Sequence, residues 1–150
     1  MDAQSHVCRD PEGCAARAAY YDKLDSQRLP LAQKEWEDLR GNAEFVVTRV
    51  RADGSTAHPE RRLYERAVSG GDIEALVAVG DVIRRYTDAE GHVRLLILGW
   101  VKTAPKRYRP LHMVVVVISP DEVHVATVYD PRTRPWQWSP EYDRQVCWCE

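Results

Sequence analysis

The sequence predicts an α+β domain, two short helices followed by a four-stranded antiparallel sheet, with an N-terminal helical extension in front. Three observations predict it. Residues 56–80 carry their charged and apolar side chains at helical spacing. After Gly80 the period changes to apolar, β-branched segments, and these are separated by turn chemistry at Asp88-Ala89-Glu90-Gly91 and Ser119-Pro120-Asp121. A chain of 150 residues holds one such domain with appendages. The divisions that follow are an extension over 1–54, the α+β domain over 55–130 and an aromatic, proline-rich strap over 131–150.

Taken in order, residues 1–14 hold Pro11 and Gly13 without apolar periodicity and read as a loop or a cysteine-tied cap. Ala15 to Leu24 is helical in composition until Pro30 interrupts. Pro30 suits the first turn of a second helix, in which Ala32, Trp36 and Leu39 share a face and which Gly41-Asn42 ends. Ala43 to Arg51, with Phe45, Val46, Val47 and Val50 before Asp53-Gly54, reads as a strand. Thr56 to Arg66 forms the first domain helix. Ser69, three residues before Asp72, caps the second, which buries Ile73, Leu76 and Val77 and stops at Gly80. Strands follow at Val82–Tyr86, Val93–Val101, Leu111–Ile118 and Val123–Tyr129. The unbroken Val114-Val115-Val116-Val117-Ile118 belongs to a central strand covered on both faces. The tail is too broken by Pro131, Pro135 and Pro140 for regular structure. Its Trp136, Trp138 and Trp148 are too costly to leave in water, so it packs as an ordered strap over the sheet or the N-terminal helices.

No apolar run approaches the roughly 20 residues needed to span a membrane, and Met-Asp-Ala-Gln-Ser-His opens no export signal. A cytoplasmic protein with no membrane partner is expected. Net charge is only −2, but residues 55–112 carry 10 Lys and Arg against 7 Asp and Glu, whereas both flanks are acidic. The basic middle is where an anionic partner would bind.

Three constellations carry chemistry. His58, Arg62 and Arg66 fall at i, i+4 and i+8, so one helix face presents an imidazole and two guanidiniums, a row suited to an anion; a solvated stripe paired with Glu60 and Glu65 is the alternative. Lys102, Lys106, Arg107 and Arg109 occur with no acid between them and with Tyr108 among them. That is the mixture phosphates and bases need, or else a solvated loop. Cys8 and Cys14 stand at one end of the chain, Cys147 and Cys149 at the other. If the termini meet, these four, or three of them with His6, can hold a structural zinc; free thiols and disulfides are the other states left open.

From His58 to about Trp136 the chain resembles the domain-of-unknown-function family 4258, small bacterial domains found in toxin and toxin–antitoxin settings. The resemblance runs through His58, Arg62, Arg66, Val68-Ser69, Asp72-Ile73, Leu76 and Gly80. It continues through Leu96-Ile97-Leu98-Gly99-Trp100 and Arg109-Pro110-Leu111-His112, and closes on Val123 to Pro131. It implies a compact toxin-like hydrolase of the RelE-like or barnase-like endoribonuclease type, with RNA as substrate, an antitoxin or regulatory protein as partner and no cofactor required for catalysis. Metal-free RNA cleavage needs a base, an acid and cations at the phosphate. His58 and His112 would supply the acid and base, Arg62 and Arg66 the phosphate clamp, and Tyr129 a further donor. Lys106 and Arg109 would hold the flanking backbone. His112 reads equally as a core histidine bonded to a backbone carbonyl. The competing function is a non-catalytic module that grips RNA, DNA or an acidic protein, its termini tied by cysteine-bound zinc.

Overall fold

Helix α1 starts where the sequence provides a cap: Asp10 accepts the Gly13 N–H at 3.0 Å, and Pro11 takes the first helical position, where no N–H is needed. The computed structural model describes residues 7–47 and 68–149, so the helix expected over Thr56–Arg66, with His58, Arg62 and Arg66, lies outside the described residues.

The two short N-terminal helices are instead one. Helix α1 spans Pro11–Asn42, 32 residues, with Pro30 inside it. An internal proline forfeits one backbone bond and costs about 3 kcal/mol, but this helix is held on both sides of the break. Beyond it, Ala32, Trp36 and Leu39 are buried in the core. Before it, Asp22 meets Arg144 at 2.6 Å and Tyr21 stacks on Trp148. Pro30 itself is exposed, so its ring meets solvent instead of a neighbour.

Strand β1 (Glu44–Val47) follows directly. Helix α2 (Gly70–Val79) opens on a reciprocal capping box between Ser69 and Asp72, and strands β2 (Asp81–Thr87), β3 (Val93–Ala104), β4 (Arg107–Ser119) and β5 (Glu122–Tyr129) come after it. The α+β class stands, but among the described residues the sheet is five-stranded and mixed, not four-stranded and antiparallel. Its order is β1-β5-β4-β3-β2, and β1 runs parallel to β5 from Glu44↔Glu122 to Val47↔Val125. Apolar spacing marked the strand but not its partner. The Ala43 N–H bonds the Leu39 carbonyl and the Glu44 N–H the Asp121 carbonyl, so the end of α1 delivers the chain to the free edge of β5.

One sheet face is the core. Leu95, Ile97 and Val101 of β3, Leu111, Met113 and Val115 of β4, and Val123 and Val125 of β5 bury themselves with Trp36, Leu39 and Leu76. Gly99 admits α2 closely, because a Cβ there would stand 2.6 Å from the Leu76 Cδ2. Trp36 donates its indole N–H to the Gly80 carbonyl at 2.9 Å, satisfying a buried pair at the α2–β2 junction. Helix α1 also guards the β2 edge, where the Gln33 Oε1 accepts the Val82 N–H at 2.8 Å.

The opposite face carries His112, since alternation turns it away from Leu111 and Met113. Residues 130–149, including 3-10 turns at Pro131–Thr133 and Pro135–Gln137, lie over it as a strap. The basic segment expected as a loop is a ribbon. Strands β3 and β4 pair out to Ala104↔Arg107 and turn on Pro105-Lys106, with Lys106 at φ 61. Between Lys102 and Ala104 the register shifts, a bulge that adds local twist just before the turn.

Candidate metal centre and cationic face

Cys8, Cys14, Cys147 and Cys149 come together from the two ends of the chain, their sulfurs all within 4.8 Å of one another. Separations are 3.8 Å for Cys8–Cys149, 3.7 Å for Cys8–Cys147, 3.9 Å for Cys14–Cys149 and 4.0 Å for Cys14–Cys147. Four thiolates about 2.3 Å from one tetrahedral ion stand about 3.8 Å apart, whereas a disulfide brings two sulfurs to about 2.05 Å. None of the four is in a disulfide. The cluster could bind a metal ion, and its spacing is that of a closed four-sulfur site.

Local structure sets each ligand. The cap at Asp10 places Cys14 in the first turn of α1, buried, with its N–H on the Asp10 carbonyl at 2.9 Å, and leaves Cys8 on the approach. At the other end Trp138 and Gln145 form an antiparallel bridge, and the Gln137 carbonyl accepts the Val146 N–H at 2.7 Å. Gln137 Nε2 and Trp136 Nε1 both donate to the Cys149 carbonyl, at 3.0 and 3.3 Å, which fixes the end of the strap. Burial pushes the Cys147 thiol up to about 12, while the backbone amide of Arg9 holds Cys149 down to about 7. A bound cation would keep the buried sulfurs as thiolates.

The second feature is the β3–β4 ribbon. Residues 91–120 contain no Asp or Glu. Of the cations on the ribbon, Arg94 meets Asp88 at 2.8 Å and Arg109 meets Asp72 at 2.9 Å, whereas Lys102, Lys106 and Arg107 are exposed. Lys102 pairs with Tyr108 across the ladder and Trp100 with Pro110, so Trp100, Lys102 and Tyr108 share a face. Trp100 is 43% exposed and Tyr108 56%, and the indole leans on Tyr142 of the strap at 6.1 Å. Sequence reasoning placed Trp100 in an apolar segment and in the family resemblance, not among the binding residues. Its position two residues before Lys102 was the available signal.

His112 is fully buried in mid-sheet. Its Nε2 lies 2.7 Å from the Tyr142 carbonyl, its Nδ1 3.1 Å from the Tyr129 hydroxyl, and Trp138 packs edge-on at 4.4 Å. A carbonyl only accepts, so Nε2 carries the proton and Tyr129 donates to Nδ1. Burial holds the ring down to about 4, helped by nearby Arg84 and opposed by the Tyr142 carbonyl and Asp130, so His112 is neutral at physiological pH.

The sequence model of one family, described as a domain of unknown function (DUF4258), matches residues 55–130. This chain belongs to that family. No curated protein and no solved structure matches it. The DUF4258 segment contributes α2 and β2 to β5, and with them the ribbon, His112 and Tyr129. Helix α1, β1 and all four cysteines lie outside it, so in this DUF4258 protein the four-cysteine cluster is assembled by the flanks. Of the residues expected to act together, the structure joins His112 to Tyr129, and gathers Lys102, Lys106, Arg107 and Tyr108 on the ribbon. Arg109 points instead to α2. His58, Arg62 and Arg66 fall in the DUF4258 segment but outside the described residues. Among the described residues no helix is long and apolar enough to cross a membrane.

Proposed function

We propose that this DUF4258 protein is an RNA-binding module of toxin type whose fold is closed by a zinc ion on Cys8, Cys14, Cys147 and Cys149. The observation that carries the RNA reading is the ribbon: a stretch without acids, whose exposed Lys102, Lys106 and Arg107 flank the exposed rings of Trp100 and Tyr108. Cations track a phosphate backbone, and aromatic faces stack on unpaired bases at about 1–3 kcal/mol each. Arg109, paired with Asp72, anchors the ribbon to α2 and leaves the outer cations to the ligand. Zinc suits four sulfurs at tetrahedral spacing, since it has no competing geometric preference, and a site with no open position supplies folding energy, not chemistry. An antitoxin-type partner would cover the same cationic face.

Metal-independent RNA cleavage is the second reading, and the hydrogen-bonded His112–Tyr129 pair is the observation that favours it. Under the strap His112 is fully buried and Tyr129 half-buried, which ranks binding ahead of cleavage. Anisotropy of a labelled single-stranded RNA oligonucleotide tests the first reading. Joint replacement of Lys102, Lys106 and Arg107 by Ala weakens binding at least about tenfold and lowers the slope of log affinity against log salt by about 2. Unchanged binding would remove it. RNA left intact by the same protein in magnesium-free buffer argues for the binder, and fragments argue for cleavage.

A further inference from the structure

We propose that the four-cysteine centre is a latch: with metal bound it holds the C-terminal strap over the His112–Tyr129 pair, and metal loss lifts the strap and opens that pair to an anionic ligand. The inference rests on metal binding by the cluster and on none of the RNA chemistry.

The strap can leave without breaking the sheet. Among the described residues, 130–149 join no ladder with β2 to β5, and their only bridge is internal, between Trp138 and Gln145. The strap is held instead at separate points. The Tyr142 carbonyl meets His112 at 2.7 Å, Gln145 accepts from Arg84 at 3.0 Å, Arg144 pairs with Asp22, and Trp148 stacks on Tyr21 at 5.7 Å. Exposed ion pairs such as Arg144–Asp22 contribute little. The metal is the anchor that ties the strap's end to the start of α1, and it is the one whose occupancy can change.

What lies beneath is chemically specific. With Tyr142 and Gln145 gone, the His112 N–H loses its strap partner, and so does the Arg84 guanidinium, which keeps Asp25 at 4.0 Å and the Tyr21 ring beneath it. An imidazole N–H and a guanidinium are donors that grip a phosphate oxygen, while the Tyr129 hydroxyl stays on Nδ1 and keeps the proton on Nε2. Trp138, which seals His112 edge-on, leaves with the same segment.

Diethyl pyrocarbonate, which acylates accessible neutral imidazoles, reads the latch when modification is mapped by mass spectrometry. The full chain is compared zinc-loaded and after chelation in the presence of a reductant that keeps the thiols free. His92 and His124, 39% and 33% exposed, serve as internal references. His112 is expected to resist in the loaded protein and to react at least tenfold faster once stripped, while β4 amides keep their protection against hydrogen exchange. The Cys147→Ser/Cys149→Ser variant should react at the stripped rate with or without added zinc. His112 equally protected in both states would overturn the latch, and so would β4 amides losing protection together with His112. A chain that takes up no metal overturns it too, and leaves RNA binding by the ribbon standing.

Discussion

At the residue scale His112 decides most. Its ring is buried and neutral, held near 4 by burial, whereas an exposed histidine titrates near 6.5. Between those values the unfolded chain binds the extra proton, so stability is full above about 6.5 and is lost as pH falls toward 4, by about 3 kcal/mol in all. Denaturant unfolding at pH 7 and pH 5 measures this, and His112→Gln should flatten that part of the profile; an unchanged profile would show that the ring protonates without penalty. Sequence could not separate a catalytic from a core His112, because both readings put it on the same strand face. What encloses the ring, the Tyr142 carbonyl and the Trp138 edge, arrives from 26–30 residues further along the chain, where no local pattern points back. The cations were easier to read. An acid-free run is visible as composition, but alternation along a ribbon was needed to send Arg109 to Asp72 and leave Lys102 beside Tyr108.

At the scale of elements, strong local signals held. Ser69 and Asp72 cap α2, Gly80 ends it, and the valine run is the middle strand of the sheet. Signals that depend on partners did not. Phe45 to Val47 announced a strand, yet nothing in them shows that it lies parallel to β5. Pro30 announced a helix boundary, yet burial of Trp36 on one side and contacts of Tyr21 and Asp22 on the other keep one helix running through it. Because Pro30 is exposed and α1 continues past it, Pro30→Ala restores a backbone donor without creating a cavity. The expected result is a gain of about 1–3 kcal/mol in thermal or denaturant unfolding. A loss would mean that the proline geometry is itself needed to bring both halves of α1 to their partners.

For the whole molecule, the DUF4258 segment supplies the sheet and its ribbon, and the flanks supply closure. Helix α1 runs from the cysteine cluster to the core beside Trp36, and the strap returns from β5 to the same cluster, so one ion would join the first helix to the last residues across the sheet. Sequence left that closure conditional. Cys8 and Cys14 are spaced unlike a zinc knuckle, and only the fold shows that Cys147 and Cys149 meet them. X-ray absorption at the metal edge, on protein purified without added zinc, is the most direct test of the account. It predicts one zinc per chain surrounded by four sulfur atoms at about 2.3 Å, falling to a weaker, partly oxygen-ligated signal in Cys147→Ser/Cys149→Ser. Protein that carries no metal, or an ion with fewer than four sulfur neighbours, would contradict it.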